Sequence, residues 1–74
     1  MPRAIPYYRR IMNDIRRKIG SGEWPPGHEL PSTRELADQY GVSVGTVRAA
    51  VDRLVEAGVL EGHQGLAVFV APRE

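Results

Sequence analysis

Ser32-Thr33-Arg34-Glu35-Leu36-Ala37-Asp38-Gln39-Tyr40-Gly41-Val42-Ser43-Val44-Gly45-Thr46-Val47-Arg48-Ala49-Ala50-Val51-Asp52-Arg53-Leu54 reads as two helices joined by a tight turn. Ser32 can accept from the free N–H groups of a helix start, and Glu35, three residues on, completes a capping box. Leu36, Ala37 and Tyr40 give a short amphipathic helix of about two turns. Gly41 supplies the left-handed residue that ends it, and Val42 is placed to tuck into the core. Ser43 is the next cap. Val47, Ala50, Val51, Leu54 and Val55 then recur at the spacing of one helical face until Gly58 closes the run after Ala57.

A short helix, a glycine turn and a second helix buried along one stripe are the parts of a helix-turn-helix, although a generic helical hairpin has the same spacing. In a helix-turn-helix the second helix crosses the major groove with its N-terminal residues nearest the base edges. With Val47, Ala50, Val51 and Leu54 turned inward, the outward side presents Gly45, Thr46, Ala49, Asp52 and Arg53, and Arg48 flanks the stripe. Small residues at the helix start permit close approach to DNA. The helix dipole and free N–H groups there favour a phosphate.

Upstream, Tyr8, Ile11, Met12, Ile15 and Ile19 line one face of a further helix, with Arg9, Arg10, Asp14, Arg16, Arg17 and Lys18 on the other. Pro6 suits its first turn, and Gly20-Ser21-Gly22 ends it. Its arginines form either a solvated face or a contact with a distant phosphate or a partner subunit. Trp24-Pro25-Pro26-Gly27 is a connector in which Trp24 is a core plug ahead of a ligand platform. His28 to Leu30 can pair briefly as a strand. Downstream, Val59-Leu60 and Ala67-Val68-Phe69-Val70 read as two strands around His63-Gln64-Gly65-Leu66, a hairpin whose turn type no Asn-Gly fixes. The expected fold is mainly α with a small antiparallel β-sheet, in a single domain over 1–74. Helix one falls at about 6–20, helix two at about 33–40, helix three at about 44–57 and the hairpin at about 59–70.

Composition fits one small folded domain: 74 residues, 42% of them hydrophobic, without cysteine. No disulfide or thiolate zinc site is available to support the core, and no apolar run approaches the ~20 residues of a membrane span. A cytoplasmic location is the expectation. Net charge is only +1, but nine of the ten cations are arginine, which suits phosphate and guanine contacts. Genomic base composition enriches arginine equally well. His28 and His63 lie far apart and have no carboxylate at ligand spacing, so neither a metal nor a catalytic constellation is predicted. No cofactor is expected.

Leu30-Pro31-Ser32-Thr33-Arg34-Glu35-Leu36-Ala37, Tyr40-Gly41-Val42-Ser43, Thr46-Val47-Arg48, Ala50, Leu54, Ala57-Gly58 and Gln64-Gly65 closely resemble the GntR family of bacterial transcription regulators. The connector Ile19-Gly20-Ser21-Gly22-Glu23-Trp24-Pro25-Pro26-Gly27 is similar to that family's as well, so the resemblance runs from about Tyr7 to Val70. It implies a three-helix winged helix-turn-helix, with the hairpin as a wing beside the recognition helix. It also implies sequence-specific binding to double-stranded operator DNA, as a transcriptional regulator of repressor type.

Carried over by residue, the resemblance implies that Arg34 reaches DNA from the start of helix two. It implies that Ser43, Thr46 and Arg48 do so from helix three, and that Gln64 and Gly65 form the wing tip at the minor groove. An arginine there can pair bidentately with a guanine, whereas short hydroxyls suit phosphate oxygens. Arg34 has a surface ion pair with Asp38 as its alternative role. For Ser43 plain capping and DNA contact are compatible.

The chain departs from the family where Val44 replaces a common arginine, Gly45 a polar residue, and Gly62 and Leu66 frequent basic residues. Val44 is then expected against a thymine methyl with Gly45 beside it, and the isolated domain is expected to bind weakly. The C-terminal effector-binding, dimerising domain usual in such regulators is not among these residues, which are a natural short form or a fragment of a longer protein. No small-molecule site is predicted within them. A homodimer on a palindromic operator is expected. The low charge also fits a rival function, a winged-helix protein–protein interaction module with little DNA affinity.

Overall fold

The computed structural model describes residues 7–63 and 67–72. Three helices, α1 (Tyr7–Gly20), α2 (Thr33–Tyr40) and α3 (Val44–Glu56), precede an antiparallel hairpin of β1 (Leu60–His63) and β2 (Ala67–Val70). Helix α1 buries Ile11 and Ile15, with Tyr8, Met12 and Ile19 partly covered, so the apolar face read from the sequence is the one that packs. Arg17 and Lys18 lie in its last turn, where cations favour the negative end of the dipole. The Ser21 hydroxyl donates to the Lys18 carbonyl there.

Trp24 is a core plug, 7% exposed, with the Lys18 ammonium 4.9 Å from its ring and the His28 ring stacked at 5.6 Å. Among the described residues, the stretch from His28 to Leu30 makes one bridge, Glu29 to Phe69. Around it, the Leu30 N–H donates to Val68 and the Val70 N–H to His28, which ties the connector to β2.

Helix α2 begins at the expected capping box. The Glu35 N–H donates to Ser32 Oγ at 3.1 Å, and the Ser32 N–H to Glu35 Oε1 at 2.9 Å. Gly41 ends the helix at φ 68°, a left-handed conformation that a side chain would strain. Helix α3 buries Val47, Ala50, Val51 and Leu54 and stops at Glu56, with Ala57 its cap in a right-handed conformation. The left-handed residue is Gly58. The first strand is longer than Val59-Leu60. Val59 bonds back to Leu54 and lies before it, and pairing with β2 draws Glu61, Gly62 and His63 into the ladder despite their polarity. Leu60 faces Val70 across the ladder, and both are buried, so the hairpin is pinned at its base against α3.

A polar clamp fixes α2 to α1. Tyr40 Oη, in the last turn of α2, donates to Asp14 Oδ2 at 2.6 Å, and Asp14 also takes Arg17 at 2.6 Å and Lys18 at 3.8 Å. The Tyr40 hydrogen bond, then Arg17 and Lys18, hold the Asp14 carboxyl below its ordinary value of 3.8, while burial and the Asp14 charge push the Tyr40 phenol up. A depressed carboxyl stabilises the fold fully above its ordinary value, and that contribution fades as pH falls through the lower folded value. Tyr40 stays protonated throughout this range. A hydrogen bond to a charged group contributes about 1.5–3 kcal/mol, so Tyr40→Phe is expected to lower stability by that amount at pH 7. The gap between variant and parent melting temperatures should close in acid, once Asp14 is protonated in both. A gap that does not change with pH would refute the clamp.

Candidate nucleic-acid interface

Capping decides how α3 presents its first turn. Ser43 Oγ accepts the Thr46 N–H at 3.2 Å and lies 3.0 Å from Thr46 Oγ1. The two hydroxyls are therefore a bonded pair, and whichever donates to the other, one O–H remains for an outside acceptor. Between them in sequence stands Val44, 39% exposed. With Tyr7, it is one of two large apolar residues left open among those described. A Cβ built on Gly45 would meet only Ser43 Oγ, at 3.9 Å, so the interior does not demand glycine there. What the missing side chain supplies is room outside the helix.

Arg34 stands exposed in the first turn of α2, and the alternative ion pair with Asp38 does not form. Arg48 is exposed on the flank of α3 that faces the start of α2 and the hairpin. It lines an open cleft there with Ser32, Thr33, Asp52, Gly62 and Val68. Glu29 and Glu35 border the same cleft, and Glu35 is held by the capping box. Those carboxylates make the cleft a poor seat for an anion, so the side on which Arg48 is open to one is the outward side of α3. Ser43, Val44, Gly45 and Thr46 thus come together at one exposed helix start, with Arg48 one turn further. Gln64 and Gly65 lie outside the described residues. The backbone of β1 and β2 brings the hairpin beside the cleft, as Gly62 and Val68 line it.

Sequence reasoning placed Arg53 on the outward side of α3 but missed its partner. Its guanidinium lies 4.6 Å from the Tyr8 ring centroid, joining α3 to the start of α1. The two residues are far apart in the chain, and no local spacing signals the pair. Among the described residues, no three His, Asp or Glu side chains converge as they would around a metal ion.

Three helices with a hairpin packed at the end of the third, and a small, exposed, hydroxyl-rich start to that third helix, define a winged helix-turn-helix domain. Within that class the particular family follows from comparison with known proteins. The chain belongs to the GntR family of bacterial regulatory proteins, whose model matches residues 7–70. It is 43% identical over 67 residues to the HTH-type transcriptional repressor NagR of Bacillus subtilis, covering 90% of this chain and 28% of that one. It is 45% identical over 65 residues to the mannosyl-D-glycerate transport/metabolism system repressor MngR of Escherichia coli, covering 88% and 27%. Of YdfD of Bacillus subtilis, an HTH-type regulator, the matched part spans 14%. The chain thus corresponds to less than a third of these relatives' lengths. Among solved structures, the AraR DNA-binding domain in complex with operator ORR3 superposes with a TM-score of 0.90 at 35% identity, over 96% of this chain and 86% of that one. YtrA from Sulfolobus acidocaldarius, a GntR-family transcription factor, gives 0.88 at 36%, over 97% and 76%.

Proposed function

We propose that this domain binds double-stranded operator DNA sequence-specifically and regulates transcription by occupying a promoter, as a repressor, without doing chemistry. The observation that carries this reading is the start of α3, where an exposed Val44, a bare Gly45 and the Ser43–Thr46 hydroxyl pair form one shallow surface near the exposed Arg48. Helix α3 lies in the major groove with its N-terminus leading, and the hairpin tip, including Gln64 and Gly65, reaches the minor groove. Arg34 and Arg48 pair with guanine edges, Val44 packs on a thymine methyl, and the hydroxyl pair holds a phosphate. The kinship with NagR and MngR, both named as repressors, supports the regulatory role, and the AraR complex supports duplex DNA as the partner.

Two copies bind as a homodimer on a palindrome, with half-site centres about 10 bp apart or a multiple of that. Such a protein works in the cytoplasm, where bacterial DNA lies. Selection of binding sites from random duplexes tests the proposal. The expected result is an enriched inverted repeat whose binding weakens steeply with salt. Recovery of unselected sequence would move the function to protein–protein interaction, for which the carboxylates around Arg48 give a physical reason.

A further inference from the structure

We infer that Arg53, held by Tyr8, is a second phosphate anchor after the Ser43–Thr46 hydroxyl pair, on the flank of α3 opposite the base-reading Arg48. The inference rests on the DNA-binding reading above and extends it to a residue pair that joins two helices. Thr46 and Arg53, seven residues apart, share one flank of α3 and lie about 10 Å apart along its axis. Arg48 occupies the opposite flank, facing α2 and the hairpin. The Thr46–Arg53 flank faces α1 instead, because Tyr8 lies against it. A helix in the major groove runs between two phosphate strands, so each flank meets one of them.

The chemistry of the pair suits an anchor. The Arg53 guanidinium carbon sits over the Tyr8 ring, 4.6 Å from its centroid, and this contact with the ring occupies no hydrogen-bond acceptor, so the guanidinium keeps N–H donors for another group. Asp52 and Glu56 stand nearby on α3, yet neither pairs with Arg53 among the described residues. The ring thus holds an exposed cation ready for an outside acceptor. The same two carboxylates keep the C-terminal half of α3 out of the groove, which leaves Arg53 at its rim, level with phosphate rather than bases. Tyr8 is a positioning residue that acts through Arg53.

The test is titration of the chain with a mixed-sequence duplex across a salt series, since phosphate contacts dominate non-specific binding. Arg53→Ala should lower the log–log salt slope by about 0.9 and weaken binding roughly tenfold at 0.1 M salt. Arg53→Lys should keep the slope, because a charge remains, while binding more weakly than the parent. Tyr8→Leu should weaken binding without changing the slope, and should add nothing to Arg53→Ala in the double variant. Arg53→Gln serves if the alanine variant melts early. A parent that binds duplex while Arg53→Ala and Arg53→Gln keep its slope overturns the anchor alone. A parent that binds no duplex at any salt overturns the DNA-binding reading, and the anchor with it.

Discussion

Arg34→Ala combined with Arg48→Ala is expected to abolish sequence-selective binding to the selected operator while leaving the fold intact. Each bidentate arginine–guanine pair provides about 1–3 kcal/mol of discrimination, so losing both should weaken specific binding by roughly 30- to 10⁴-fold. Neither residue has a structural task that would confuse the result. Both are exposed, and neither makes an ion pair among the described residues. Circular dichroism and the melting temperature should therefore match the parent within the ±0.5 kcal/mol usual for surface substitutions. The competition ratio between operator and mixed-sequence duplex separates the proposed guanine contacts from phosphate contacts. Loss of base readout collapses that ratio towards one, whereas loss of phosphate contacts alone lowers both affinities together. A double variant that keeps the parent's ratio would remove both arginines from base recognition. Each single variant should relax preference at different base positions, because Arg34 comes from α2 and Arg48 from α3.

What the sequence made legible was governed by neighbours in the chain. The capping box of Ser32 and Glu35, the left-handed Gly41 and the Ser43 cap are all settled within four residues, and each stands where the spacing put it. The buried stripe of α3 was equally plain, since one helical period fixes it. The side-chain contacts that orient the helices were not visible. Tyr40 reaches Asp14 across 26 positions, and Arg53 reaches Tyr8 across more. Such pairs depend on how helices cross, which composition and periodicity leave free. Arg34 shows the converse. A carboxylate four residues away made an ion pair with Asp38 reasonable, but an exposed pair of this kind contributes about 0.3–0.5 kcal/mol, too little to hold two long side chains together. At the interface, the hydroxyl pairing of Ser43 with Thr46 adds what residue types could not supply. It leaves one free O–H where two separate donors would have been counted.

Leu54→Ala should bring the domain close to unfolding without touching any surface offered to DNA. Leu54 is 0% exposed, lies in the last full turn of the α3 stripe, and its carbonyl receives the Val59 N–H where the chain leaves for the hairpin. Truncating a buried leucine costs about 2–5 kcal/mol, with the larger figures where the site cannot collapse. Here collapse is hindered, because α3 meets α1 and α2 on one side and β1 on another, and among the described residues the core holds no buried charged or polar side chain that water could solvate. A chain of this length has roughly 4–11 kcal/mol of stability in total, so one leucine side chain is from about a fifth of it to all of it. The melting temperature should fall by roughly 10–30 °C, while Leu54→Met, which keeps the volume, should stay within about 1.5 kcal/mol of the parent. Because the recognition surface is unaltered, saturating operator should recover much of the loss: about 2.7 kcal/mol is returned when free duplex stands at a hundred times its dissociation constant. The rescued protein should show the parent's salt slope, since no cation was removed. A Leu54→Ala variant that melts with the parent would mean that α3 is held by something other than this core. A variant that operator DNA cannot rescue would mean that the cavity has displaced the recognition helix itself.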